Sequence, residues 1–244
     1  MRIESPVECV VQERINKFVV KVLIGRKPRT AYINNTGRLL RYLAKGKKGF
    51  CIRPGKSGKT DCRLFSIEED GFAAIVDTQL QMKVFERALE MGFIPWMRES
   101  KILKRNAKLG RSLIDYLLEC GGERVYLEVK SAVLKEGEYA AYPDCPSPRG
   151  RRHIKELTDH VKKGGRGTIL FIAALPGVKA FRPNRSADPE LHGLLMEARS
   201  AGVNLKSIGL YYSPQDSSVH LSDPDLEVRI PWNLRATTAL REGS

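Results

Sequence analysis

Apolar and polar residues alternate along two neighbouring stretches, Leu113-Ile114-Asp115-Tyr116-Leu117-Leu118-Glu119-Cys120 and Glu123-Arg124-Val125-Tyr126-Leu127-Glu128-Val129-Lys130, and only Gly121-Gly122 separates them. Strand-like runs joined by two glycines predict a two-residue hairpin. Its register follows from the turn. Opposed residues have numbers summing to 243, so Asp115 faces Glu128, Leu113 faces Lys130, and Glu119 faces Arg124 in an opposite-charge pair. A side-chain period of two places Asp115, Glu128 and Lys130 on one face and Val125, Leu127 and Val129 on the other. Opposed Cβ atoms in such a hairpin lie only about 4.5–5.5 Å apart.

Upstream, the alternation Phe18-Val20-Val22-Ile24, the pair Cys62-Leu64 and the run Phe72-Ala74-Val76 after the turn Glu69-Asp70-Gly71 predict short strands of a small, OB-like β-barrel. Leu80, Val84, Phe85, Ala88 and Leu89 then fall at helical spacing before a stop at Gly92. The change of period sets a boundary near residue 80, giving an N-terminal barrel over 1–79 and a C-terminal domain over 80–244. Beyond the hairpin come a loop with Tyr142-Pro143-Asp144 and a helix with Ile154, Leu157 and Val161 on one stripe. The apolar run Thr168–Ala174 reads as a buried strand. Asp188-Pro189 forms an N-cap and N1 pair for a helix ended by Gly202, and Val203 to Tyr212 returns as a strand. The C-terminal part is thus an α/β core of hairpin, crossover helix and central strand within an α+β mixed chain. The last thirty residues give no clear pattern. Gly55-Lys56-Ser57-Gly58-Lys59-Thr60 looks like a phosphate loop, but Arg53 stands where the upstream glycine is required and strand follows where helix should.

A chain of 244 residues, 42% hydrophobic, is long enough for one large or two small domains. No apolar run reaches membrane-spanning length, and Met1-Arg2-Ile3-Glu4-Ser5-Pro6 lacks the core of a signal peptide. Five cysteines without C-x-x-C spacing indicate neither a disulfide framework nor a zinc site, so a cytoplasmic protein is expected. The net charge of +14 is clustered: thirteen Lys/Arg against Asp61 alone from Lys21 to Arg63, six against Glu99 from Arg98 to Arg111, and seven against two acids from Arg149 to Arg166. Heat-adapted surfaces intersperse Glu with Lys, and the first cluster does not. A polyanion partner is therefore expected, nucleic acid ahead of an anionic membrane, for which no amphipathic anchor is seen. The alternative of a basic RNA- or ribosome-associated protein would place this charge on a face away from the acids.

Two carboxylates held close together repel unless a cation sits between them, and hard oxygen ligands suit Mg²⁺ or Mn²⁺. Lys130 on the same face is placed to orient a water or neutralise developing charge. The set resembles the PD-(D/E)XK nuclease core, which commonly takes a further acid from just upstream of the first strand, here Glu99. His153 and His160, seven apart on one helical face, are too far apart to pair as zinc ligands and are expected to contact local carbonyls or carboxylates.

Asn35-Thr36-Gly37-Arg38, Ile114-Asp115-Tyr116, Tyr126-Leu127-Glu128-Val129-Lys130-Ser131, Tyr142-Pro143-Asp144, Arg149-Gly150, His153 with Glu156-Leu157, and Phe181-Arg182-Pro183-Asn184 occur in the order found in the SfsA (sugar fermentation stimulation protein A) family, which this chain resembles from about residue 8 to 212. That resemblance implies an OB-like barrel joined to a PD-(D/E)XK nuclease-like α/β domain, with DNA as the expected partner ahead of RNA. It implies Asp115, Glu128, Lys130 and Glu99 as catalytic residues, and Asp115, Glu128 and Val129 as ligands of Mg or Mn. Lys45, Lys47, Lys48, Arg38, Arg149, Arg151 and Arg152 are the expected nucleic-acid contacts, and a homodimer is compatible with this set. Departures from the family pattern are Leu113 in place of an arginine, a longer spacer from Glu99 to Asp115, and Cys145-Pro146-Ser147 after Pro-Asp. The expected function is DNA binding with metal-dependent phosphodiester hydrolysis. The alternative is a non-catalytic DNA-binding regulator on the same scaffold.

Overall fold

The computed structural model describes residues 1–53 and 59–230. Gly55–Gly58 of the phosphate-loop-like segment, and the C-terminal residues from 231, lie outside the described residues. Five strands, β1 (Val7–Arg14), β2 (Val19–Ile24), β3 (Lys27–Tyr32), β4 (Lys48–Ile52) and β5 (Cys62–Glu69), pair in a closed ring, β1-β2-β3-β5-β4-β1, with β3 and β5 parallel. Closure leaves no free edge and gives the expected OB barrel. Val11, Val20, Val22, Ala31, Cys51 and Leu64 fill its interior. The turn at Asp70-Gly71, both with positive φ, returns the chain as β6 (Phe72–Ile75).

Asp77 then caps α1 (Thr78–Glu90), accepting the Leu80 N–H at 2.9 Å, and the stripe Leu80, Val84, Phe85, Ala88 and Leu89 is buried as its spacing predicts. After a 3-10 turn at Pro95–Met97 come β7 (Ser100–Leu109), β8 (Ser112–Cys120), β9 (Glu123–Ala132), β10 (Leu134–Glu136) and β11 (Tyr139–Tyr142). They are followed by α2 (Pro148–Lys162), β12 (Arg166–Ala173), β13 (Ala180–Pro183), α3 (Pro189–Ser200), β14 (Asn204–Ser213) and β15 (Ser218–Val228). The sheet runs β7-β8-β9-β12-β14-β15, with β12 parallel to both β9 and β14 and buried almost throughout, and β13-β11-β10 continues it from β15. The two helices next to the hairpin cover opposite faces: α1 through Phe85 on Tyr116 (centroids 5.6 Å apart), α2 through His160 on Tyr126 (5.0 Å). The expected hairpin, crossover helix and central strand are all present. Among the described residues no helix is long and apolar enough to cross a membrane.

The barrel is fused to the α/β half. Tyr212 of β14 packs edge-on against Phe50 and Phe65 at 5.3 and 4.9 Å, so one apolar core runs through both. Glu69 from the barrel takes Arg41 and, at 3.3 Å, Lys135.

Asp188 ties the starts of α2 and α3 together. It accepts the Leu191 N–H at 3.0 Å as N-cap, the Ser147 N–H at 2.9 Å, and Arg151 Nε at 3.2 Å. Burial opposes its ionisation, yet these donors hold its carboxyl below the usual range. Asp188→Ala should cost about 2–3 kcal/mol, from a lost cap and orphaned buried donors. A urea denaturation midpoint checks this, and because the folded pKa is depressed the difference should shrink as pH falls through the acidic range.

Candidate metal and nucleic-acid site

Gly121 and Gly122 both take left-handed φ, 57° and 82°, as a two-residue turn with primed geometry requires. From that turn the hairpin pairs Cys120 with Glu123, Glu119 with Arg124, and on to Tyr116 with Leu127, the register read from the sequence. The ladder ends there. At the next position the Asp115 side chain replaces the backbone partner: its Oδ2 accepts the Val129 N–H at 2.8 Å. Asp115 and Glu128 therefore sit side by side one step past the last backbone pair, on the face that α2 covers.

Glu128 is 3% exposed. Its Oε1 takes the Lys130 ammonium at 2.6 Å and His153 Nδ1 at 2.6 Å, while Oε2 is buried with no partner. Lys130 shares the face because it lies two residues along the same strand. His153 arrives from α2, with Nδ1 against Glu128 Oε1 and Nε2 3.4 Å from Arg149 Nε. Burial opposes the charge of both Glu128 and Lys130. Their mutual attraction outweighs it, with His153 helping, so Glu128 is held below the usual carboxylate range and Lys130 above the usual amine range. Asp115 behaves oppositely. Burial and then the Glu128 charge push it up to about 6, against the pull of the Val129 N–H. The site thus holds one locked ion pair and one acid whose charge is unstable without a cation. That acid, with the Glu128 carboxylate near enough to raise it and carrying an unpartnered Oε2, fits a hard divalent ion.

The structure corrects the rest of the expected set. Glu99 is not part of the site: its Oε2 lies 3.9 Å from where a Gly121 Cβ would be, at the turn end of the hairpin. Six residue steps along the strand separate Gly121 from Asp115, roughly 20 Å at ~3.3 Å each. The cause is β7, which pairs Ser100 with Cys120 and so delivers the preceding residue to the far end. Among the described residues no three His, Cys, Asp or Glu side chains converge in metal-binding geometry, so Asp115 and Glu128 are the side-chain carboxylates at this site. Val129 donates its N–H to Asp115 Oδ2, so its carbonyl oxygen is the atom with which it would meet a cation. The basic residues divide. Lys48 pairs with Glu8 at 2.8 Å, and Arg151 is taken by Asp188 and Glu190. Lys45 and Arg38 are exposed, and these two, Lys47, Arg149 and Arg152 have no carboxylate within ion-pair distance among the described residues. Arg152 reaches Ser112 Oγ at 3.4 Å instead. His153 was legible as a carboxylate's partner; that the carboxylate is Glu128 depends on how α2 crosses the hairpin, which no local pattern reveals.

A family model described as "Sugar fermentation stimulation protein RE domain" matches residues 79–216, and one described as "SfsA N-terminal OB domain" matches 13–76. A sugar fermentation stimulation protein homolog of Pyrococcus furiosus is 42% identical over 93% of this chain and 99% of its own, and one of Archaeoglobus fulgidus 44% over 93% and 98%. A solved structure of Pyrococcus furiosus SfsA in complex with Ca²⁺ superposes with a TM-score of 0.91 at 41% identity, covering 94% of this chain and 98% of that one.

Proposed function

Since the chain belongs to the sugar fermentation stimulation protein family, we propose that it binds DNA and hydrolyses phosphodiester bonds with a divalent cation held by Asp115 and Glu128. The observation that carries this reading is the pairing of half-buried Asp115, raised to about 6, with buried Glu128, whose Oε2 is left without a partner. The Ca²⁺ in the Pyrococcus furiosus relative supports a hard divalent ion in this family. When bound, such an ion would polarise a phosphoryl oxygen and acidify a water. Lys130 is kept protonated by Glu128, so it acts as a charge donor to the phosphate or to a water and does not serve as the base. His153 and Lys130 together fix the Glu128 carboxylate, leaving Oε2 directed away from both. Arg149, next in this chain of contacts, is placed to meet a phosphate entering beside α2.

The test is cleavage of labelled DNA and RNA with and without Mg²⁺ or Mn²⁺, against an Asp115→Ala protein. Metal-dependent cleavage lost in the variant is expected; equal cleavage by both would remove the site from the reaction. One feature favours the non-catalytic alternative: the Lys130–Glu128 pair already balances one buried charge without any metal. Under that alternative no divalent ion yields products while DNA binding persists.

Binding carried by the phosphate backbone should fall linearly as log K against log salt. Replacing Lys45 and Lys47 by Ala should lower the slope by about 1.8 on duplex DNA, at ~0.9 per contact. Lys48→Ala should change it less, since Glu8 already pairs that ammonium. Anisotropy titrations at several salt concentrations measure this, and salt-independent affinity would overturn it.

A further inference from the structure

A cleft of about 610 Å³ lies between the barrel and the α/β half, walled on one side by Asn35–Leu39 and on the other by Tyr142–Arg149. We infer that it receives an unpaired nucleic-acid strand and leads it to the Asp115–Glu128 site; the inference rests on the phosphodiester reading of that site and adds the form of its substrate. Three observations carry it.

The first is charge. Lys17, Arg38 and Arg149 line the cleft, and none has a carboxylate within ion-pair distance among the described residues, whereas Lys48 and Arg151 nearby in sequence are paired. Unpaired cations around a concave surface hold a phosphate backbone. Phe18, next to Lys17 at the β1–β2 turn, is 49% exposed and offers a ring on which a base can stack.

The second is continuity. Arg149 both lines the cleft and donates to His153, which holds Glu128. Tyr142 lines it as well and lies close enough to Lys130 to influence its charge. Ser131 follows Lys130 at the floor, and its buried hydroxyl has no partner.

The third is width. The Leu39 N–H donates to Asp144 Oδ2 at 2.8 Å across the cleft, and a Cβ on Gly37 would stand 2.7 Å from the same oxygen. Arg14 holds the barrel wall from behind through the carbonyls of Asn35, Gly37 and Arg38. These contacts fix the two walls against each other. A cavity of this volume is in the range that takes one small ligand, which suits one or two nucleotides of a single strand.

The experiment measures binding in chelator, where no metal-dependent cleavage occurs. Fluorescence anisotropy compares a 5′-labelled oligothymidylate, the matching oligouridylate and a blunt duplex of the same length. At least one single strand is expected to bind ten times more tightly than the duplex, and the ratio between the two strands tells DNA from RNA. In Lys17→Ala/Arg38→Ala the single-strand slope of log K against log salt should fall by about 1.4, two contacts at ~0.7 each, with an unchanged thermal midpoint because both side chains are exposed on the cleft rim. Duplex binding as tight as either strand, or an unchanged slope, overturns the inference. Metal-dependent cleavage without single-strand preference would leave the hydrolytic reading standing and refute this one; preference without cleavage in any metal would do the reverse.

Discussion

Glu128→Gln is expected to destabilise the protein by about 3–5 kcal/mol, because it leaves the buried Lys130 ammonium without its counter-charge. Lys130 is 8% exposed and Glu128 3%, and the pair is 2.6 Å apart with His153 on the same carboxylate oxygen. A neutral amide keeps one acceptor but removes the charge that makes a buried lysine tolerable. The loss of activity in that variant would therefore mix unfolding with chemistry. A second variant separates them: Glu128→Gln/Lys130→Met removes both charges at nearly constant volume and should recover most of the lost stability, while remaining inactive. Guanidinium denaturation midpoints of parent, single and double variants measure this. A single variant within about 1 kcal/mol of the parent would show that Lys130 finds water or another anion.

The same contrast explains which parts of the molecule were legible in the sequence. The hairpin register could be read as far as the Tyr116–Leu127 pair because a glycine pair that permits left-handed φ sets the turn, while period-two alternation on both sides sets which side chains share a face. The stripe of α1 and the Asp188-Pro189 start of α3 were equally direct, since capping and periodicity are local. The OB barrel was legible in type but incompletely in strands. β3 carries Lys27, Pro28 and Arg29, and β4 is five residues long, so neither alternates clearly, and both form because closure supplies their partners. β7 reads as a basic cluster because it is the sheet's edge: among the described residues it pairs only with β8, and it turns most of its side chains to solvent, where charges discourage further pairing. Because β7 begins at Ser100 opposite Cys120, Glu99 lies at the turn end of the hairpin, away from Asp115. Whether Arg151 or Lys48 was free could not be read at all, because their acids, Asp188, Glu190 and Glu8, lie far off in sequence.

Asp115→Asn is expected to make the metal-free protein more stable near neutral pH and to end metal-dependent cleavage. The Asp115 carboxyl ionises near 3.8 when unfolded and near 6 when folded, raised by burial and then by Glu128. Between those values the folded state keeps a proton that the unfolded state has released. Stability contributed by protonated Asp115 is thus full below about pH 4, and is lost as the pH rises to about 6. Asparagine does not ionise, and its amide oxygen can still accept the Val129 N–H. The variant should match the parent at pH 4 and exceed it above pH 6 by up to roughly 3 kcal/mol, the equivalent of about two pKa units at ~1.4 kcal/mol each. Mg²⁺ or Mn²⁺ should narrow this gap by stabilising the parent alone, since the ion takes the place of the missing proton. Denaturation midpoints at pH 4, 5, 6 and 7.5, with and without metal, trace both effects. If metal stabilised the variant as much as the parent, Asp115 would not be a ligand. If the variant gained nothing between pH 4 and 7.5, its burial would not destabilise the charged form, and the strain that makes this acid receptive to a cation would be absent.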